Sequence, residues 1–199
     1  MFNNIYLISK NYYFGQRLLE SYPFKSYLSV ISLSGEYSRS LASILPPFVR
    51  KLSIRNYSNG SGDTSIPDTI TSLTLDRVTF STGHPIVIPN SIVELFLDGD
   101  FNQNIPIGFI NPNVRSLSVG NSFNSIVHKT QLPSELESIS FGESYNRDID
   151  FSSTLPSGIR SIRLGSSFRA SFQGEIPSSL DTIHLPWSYL KQPGLSYLI

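Results

Sequence analysis

A chain of 199 residues with 15 basic and 15 acidic side chains carries no net charge to draw it to nucleic acid or anionic lipid, and 22.2 kDa suffices for one domain or one repeat array with a continuous core. Cysteine is absent, which excludes disulfides, thiolate metal sites and cysteine nucleophiles together. Only 15% of residues are charged, so serine hydroxyls must carry part of the solvation.

In chain order, the N-terminus (Met1 to Tyr6) offers neither a basic region nor a long apolar run, so no signal peptide is expected. No stretch of about 18 apolar residues marks a membrane span. Residues 1–27 hold Phe2, Tyr6, Tyr12, Tyr13 and Phe14 and a weak helix candidate from Gln16 to Tyr22. They read as an N-terminal cap or a degenerate coil, since Phe2/Ile5/Leu7 mimics the pattern that follows.

From residue 28 the spacing apolar-x-x-apolar-x-apolar recurs. It appears at Leu28/Ile31/Leu33, Val49/Leu52/Ile54, Ile70/Leu73/Leu75 and Ile92/Leu95/Leu97. It continues at Val114/Leu117/Val119, Leu136/Ile139/Phe141, Ile159/Ile162/Leu164 and Leu180/Ile183/Leu185. The first anchors are 21, 21, 22, 22, 22, 23 and 21 residues apart. Three residues before most anchors stands a proline: Pro46, Pro67, Pro89, Pro133, Pro156 and Pro177, with Pro112 one place late. Proline cannot donate to a central ladder, so it marks where the chain turns in before a strand.

Nine residues past the anchor comes an aromatic (Tyr37, Phe101, Phe123, Tyr145, Phe168), and four further on an apolar residue (Leu41, Ile105, Val127, Ile149, Phe172). Between strand and aromatic lies a glycine (Gly35, Gly99, Gly120, Gly142, Gly165), expected where the backbone must turn sharply. The periodicity predicts a mainly β, leucine-rich-repeat-like parallel β-solenoid over residues 28–185. It would have about eight coils of 21–23 residues with short 3-10 or irregular return segments. One coil buries too little to order itself, so coils must stack. Residues 186–199 read as a C-terminal cap, with Trp187, Tyr189, Leu190 and Leu195 expected to cover the last coil's open core.

The segment Ile88-Pro89-Asn90-Ser91-Ile92 through Leu97-Asp98-Gly99-Asp100-Phe101-Asn102-Gln103-Asn104-Ile105-Pro106 resembles the FNIP repeat, named for its Phe-Asn-spacer-Ile-Pro signature and related to leucine-rich repeats. The likeness is strongest over residues 88–185, recognisable from 66 and only periodic from 28. Phe101-Asn102, Phe123-Asn124 and Tyr145-Asn146 match the Phe-Asn pair; Phe168-Arg169, Tyr37-Ser38 and Phe80-Ser81 depart from it. The resemblance implies a non-catalytic protein-interaction scaffold of the kind common in amoeboid protists and their giant viruses. Relatives often carry an upstream F-box that links them to ubiquitin ligases, a pattern that residues 1–27 do not show. It places the protein in the cytoplasm, a host's cytoplasm in the viral case.

Asn102, Asn124 and Asn146 are 22 apart and should stack as a buried amide ladder bonding neighbouring backbone. Of three histidines, His84 and His128 fall at equivalent positions two coils apart, about 10 Å in a sheet, which suits no shared metal ion. No nucleophile elbow or phosphate loop appears, and acids such as Asp98, Asp100, Glu143 and Asp148 read as solvated turn residues. Catalytic residues, cofactors and metals are therefore not expected. Alternation turns anchor+2 and anchor+4 outward, and ten of those sixteen positions are Ser or Thr.

Partner recognition is expected where the hydroxyl face is broken, at Lys51, Glu94, Phe96, Asp98, Arg163 and His184, with Phe96 the sharpest candidate. The leading reading is a monomeric adaptor that binds a protein, and neither nucleic acid nor membrane, through its strand face. A ubiquitin-ligase substrate receptor, an inactive repeat remnant, an ice-binding hydroxyl ladder and a carbohydrate-active β-helix stand as alternatives.

Overall fold

The structure, a computed structural model, describes residues 30–34, 41, 45–55, 65–77 and 87–191. It is mainly β, a parallel β-solenoid with almost no helix. The strands are β1 (Val30–Ser34), β2 (Lys51–Arg55), β3 (Ser72–Asp76), β4 (Glu94–Asp98), β5 (Ser116–Val119), β6 (Ser138–Ser140), β7 (Ile149–Asp150), β8 (Ser161–Arg163), β9 (Phe172–Gln173) and β10 (Thr182–His184). A 3-10 turn at Lys129–Gln131 and a short helix α1 (Trp187–Leu190) complete the regular elements of the described residues. The N-terminal cap assigned to residues 1–27, its helix candidate and His84 lie outside those residues.

Every anchor triplet of the sequence places its middle apolar member on a strand; the last member is on the strand in β1 to β5, whereas Phe141, Leu164 and Leu185 lie one residue past theirs. The chain divides into two compact units, Met1–Leu97 and Asp98–Ile199. In the first, β1, β2, β3 and β4 follow one another in chain order. Ile31, Leu52 and Leu73 align in register, as do Leu33, Ile54 and Leu75, and all six are buried. In the second, β5, β6, β8 and β10 are parallel neighbours, with Leu117, Ile139, Ile162 and Ile183 aligned. Here β7 and β9 pair separately, Ile149 opposite Phe172, on the return side of the coils.

The proline register has a specific cause. The anchor N–H donates to the proline carbonyl three residues back: Val49 to Pro46 at 3.1 Å, Ile70 to Pro67 at 3.0 Å, Leu136 to Pro133 at 3.2 Å and Leu180 to Pro177 at 3.0 Å. Proline thus opens a four-residue turn, using the carbonyl it keeps rather than the N–H it lacks. The late Pro112 fits the same turn one place along. Asn111 supplies the carbonyl to Val114 (3.3 Å), and its Oδ1 accepts from the Asn113 N–H at 2.8 Å. Asparagine first and proline second is a favoured order for such a turn. The apolar residue just before the turn (Leu45, Ile66, Ile88, Ile110, Leu132, Leu155) is buried in each of these coils.

Beyond the turn, one carbonyl per coil accepts two N–H groups from the next coil. Arg50 O receives Thr71 N at 2.9 Å and Ser72 N at 3.1 Å; Arg160 O receives Asp181 N at 2.9 Å and Thr182 N at 3.0 Å. The glycines divide into two kinds. Gly99 has φ 67°, the left-handed turn expected of it. Gly142 and Gly165 serve instead for closeness. A Cβ on either would lie 2.3 Å from the carbonyl oxygen of the glycine one coil back, Gly120 or Gly142.

Candidate interaction face

The return side of the second unit shows how the side chains there are used. Phe101 and Phe123 stack with centroids 5.7 Å apart and planes parallel, Phe123 and Tyr145 at 6.1 Å, and all three are buried. Phe141 lies 3.9 Å from Tyr145, and Phe168 carries the row onward to Tyr189 at 5.4 Å. Tyr189, nine residues after Leu180, is therefore the next aromatic of the repeat rather than a separate lid. The Tyr145 hydroxyl is buried without a hydrogen-bond partner, and burial pushes its pKa up to about 12.

Along the rim of the aromatic row, each asparagine Oδ1 accepts backbone N–H from the following coil. Asn102 receives Asn124 N at 2.7 Å, Asn124 receives Asn146 N at 3.0 Å, and Asn146 receives Arg169 N at 2.7 Å and Ala170 N at 2.9 Å. The amides are not buried as the sequence suggested: Asn102 and Asn146 are exposed and Asn124 half-buried. Their placement follows from the ring beside them, which turns inward and leaves the next residue at the surface, within reach of the neighbouring backbone.

Two acids expected to be solvated have partners on the next coil. Glu143 Oε2 accepts from both the hydroxyl and the N–H of Ser166, the N–H at 2.9 Å. Asp148 Oδ1 accepts from the N–H and the hydroxyl of Ser171, both at 2.8 Å. The hydroxyl and then the N–H of Ser166 hold the Glu143 carboxyl below its ordinary value; the N–H and then the hydroxyl of Ser171 do the same for Asp148. Asp150 is lowered within its own coil by Ser152. The signal was present in the sequence. Each acid has a serine 23 residues on, the length of that coil.

The strand side contrasts with this. Register aligns Ser116, Ser138, Ser161 and Thr182 in one outward row, and Ser118, Ser140, Arg163 and His184 in the other. Among the described residues none of these eight side chains makes a hydrogen bond or ion pair, whereas Arg115 pairs with Glu135 at 3.0 Å and Arg160 with Asp181 at 3.3 Å. Arg163 and His184 are exposed register neighbours. In the first unit Lys51 is exposed on β2, in register with Val30 and Ser72, and Ser72 is closed off at 7% exposure despite its outward position. Arg55 of β2 ion-pairs with Asp76 of β3.

Glu94, Phe96 and Asp98 share one side of β4, with Phe96 36% exposed and Glu94 half-buried. Asp98 is already committed, its Oδ1 accepting from the Gly99 N–H at 2.8 Å. The predicted residues thus form two local groups, one on β4 and one across β8 and β10, with Lys51 two strands from β4 in the first unit. His128 is exposed and precedes the 3-10 turn, where its N–H donates to the Gln131 side chain at 2.7 Å. Among the described residues no cluster of three His, Asp or Glu could hold a metal, and no helix is long and apolar enough to cross a membrane.

Comparison with known proteins agrees with this architecture. No curated protein matches the sequence significantly. The fold is similar to the crystal structure of CroV588, a giant-virus protein described as a novel circular LRR protein, at 23% identity and a TM-score of 0.61. The similarity covers 79% of this chain and 23% of CroV588, so the chain spans about a quarter of that protein's length. Residues 101–144, which hold two of the stacked aromatic–asparagine pairs and begin a third coil's return, match the family model FNIP Repeat. Over that segment the chain is similar to FNIP repeat sequence, carried on a leucine-rich-repeat-like parallel β-solenoid.

Proposed function

We propose that the protein is a non-catalytic interaction scaffold that binds a protein partner through its parallel-strand face, inside the cell. The observation that carries this reading is the division of labour in the second unit. Return-side asparagines and acids are taken up bonding coil to coil, while the eight outward strand side chains bond nothing among the described residues. A rigid β face of hydroxyls costs little entropy to immobilise and offers donors and acceptors at fixed spacing. The Arg163–His184 pair interrupts that uniform surface, and in the first unit Phe96 is exposed on β4; aromatic and arginine side chains contribute most where partners bind.

The test is affinity purification of partners with wild type, Phe96→Ala, Arg163→Glu and a control, Thr130→Ala, on the 3-10 turn. The face variants should lose partners that the control retains. Recovery of identical partners by all four proteins would refute the strand-face reading.

A further inference from the structure

With one exception among the described residues, the arginines of the second unit are taken up by the chain itself. Arg115 pairs with Glu135, Arg160 pairs with Asp181, Arg147 donates to the Asn124 carbonyl and Arg169 to those of Ser166 and Phe168. The exception is Arg163, exposed on β8, which makes no hydrogen bond or ion pair among the described residues. Register gives the reason. Its neighbours are Ser140 on β6 and His184 on β10, and neither is an acid. In the first unit, by contrast, Arg55 of β2 is answered in register by Asp76 of β3. The acids just before β6 and β10 and close after β6 are engaged elsewhere. Glu137 lies 3.7 Å from Arg115, Asp181 lies 3.3 Å from Arg160, and Glu143 accepts from Ser166.

From this we infer that the strand face around Arg163 binds an acidic segment of a protein partner, with a partner carboxylate seated on the Arg163 guanidinium. The inference rests on the strand-face reading and gives the partner its chemistry. A guanidinium presents a planar fork of donors that matches the two oxygens of a carboxylate. Strands in a sheet stand about 4.8 Å apart, so the hydroxyl of Ser140 is one strand away and can donate to the same anion. Ser161, two residues before Arg163 on the same side of β8, offers a second hydroxyl, and His184 offers a ring N–H from β10.

Charge complementarity selects this occupant. The eight outward positions of β5, β6, β8 and β10 hold hydroxyls, one arginine and one histidine, and no carboxylate. Nothing on that face repels an anion, while a basic segment would meet Arg163 with no acid to offset it. Two residues beyond Ser140 and Arg163 stand Gly142 and Gly165, so no side chain there competes for the guanidinium.

Nuclear magnetic resonance titration of the full chain with hexaglutamate, and with hexalysine and an uncharged Gly-Ser hexamer as controls, tests the inference. Hexaglutamate alone should shift the Arg163 side-chain N–H and the amides of Ser140, Ser161 and Arg163, saturably, and less so as salt is added. Arg163→Gln should raise the half-saturation concentration at least about fivefold. Its melting temperature should stay within about 1 °C of wild type, since Arg163 bonds nothing among the described residues. Arg147→Gln, which removes the same charge from the return side, should change half-saturation by less than about twofold. Absence of hexaglutamate shifts, or equal weakening by the two variants, would overturn the inference. If Arg163→Glu loses captured partners while hexaglutamate does not bind, this inference falls and the strand-face reading stands. Partners unchanged in every face variant would overturn both.

Discussion

The strand side and the return side of the second unit are built from similar polar residues used in opposite ways. On the return side, Asn102, Asn124, Asn146, Glu143 and Asp148 each reach the next coil's backbone. On the strand side, backbone pairs with backbone, so the outward serines have no structural work. A β-strand satisfies its own N–H and C=O groups in the ladder; an irregular return segment cannot, and side chains must complete it. On the proposed reading, stability and recognition are therefore separable by face.

The largest effect should come from the aromatic row that supports the return side. Phe123→Ala removes a fully buried ring stacked between Phe101 and Tyr145, and should cost about 3–5 kcal/mol in chemical denaturation. A cost below about 1 kcal/mol would mean that the rings are not packed together.

Acid should act on the return side next. Folded-state pKa values of Glu143 and Asp148 lie below their ordinary values, so the stability they supply is present above the unfolded carboxylate range and is lost as pH falls through the folded values. Glu143→Gln with Asp148→Asn should flatten the acid limb of a melting-temperature profile. An unchanged limb would show that the two carboxylates bind no more tightly than solvent does.

Tyr145 sharpens the comparison from the apolar end. Its ring belongs to the stack but its hydroxyl is orphaned, so Tyr145→Phe should leave stability equal or raise it by about 1 kcal/mol. The folded value of about 12 exceeds the unfolded one, so this tyrosine supports the fold below the unfolded pKa and loses that support as pH rises through about 12. The Phe variant should consequently lose less stability than wild type in alkali. Equal losses would place the hydroxyl in contact with water.

Much of this fold is written in linear spacing, because a solenoid converts a separation of 21–23 residues directly into contact. Anchors, prolines and aromatic positions could be located without coordinates, and even the displaced Pro112 keeps its turn through Asn111. What spacing does not encode is depth. Asn124 lies beside a buried ring yet sits at the rim, and Ser72 points outward yet is covered. The two roles of glycine were also indistinguishable, since a left-handed turn at Gly99 and a close backbone approach at Gly142 demand the same residue. The candidate face was legible as a set of outward positions. That Asp98 turns back onto Gly99 while Arg163 stays free among the described residues depends on side-chain geometry that no periodicity contains.

The most direct test of the division between faces compares two double variants by thermal unfolding. Asn124→Ala with Asn146→Ala leaves three backbone N–H groups on neighbouring coils without their acceptors. It should lower the melting temperature by about 4–8 °C, taking about 1 kcal/mol for each asparagine. Ser118→Ala with Ser140→Ala, on the strand face, should change it by less than about 1 °C. Equal shifts, or a larger loss from the serines, would contradict the account.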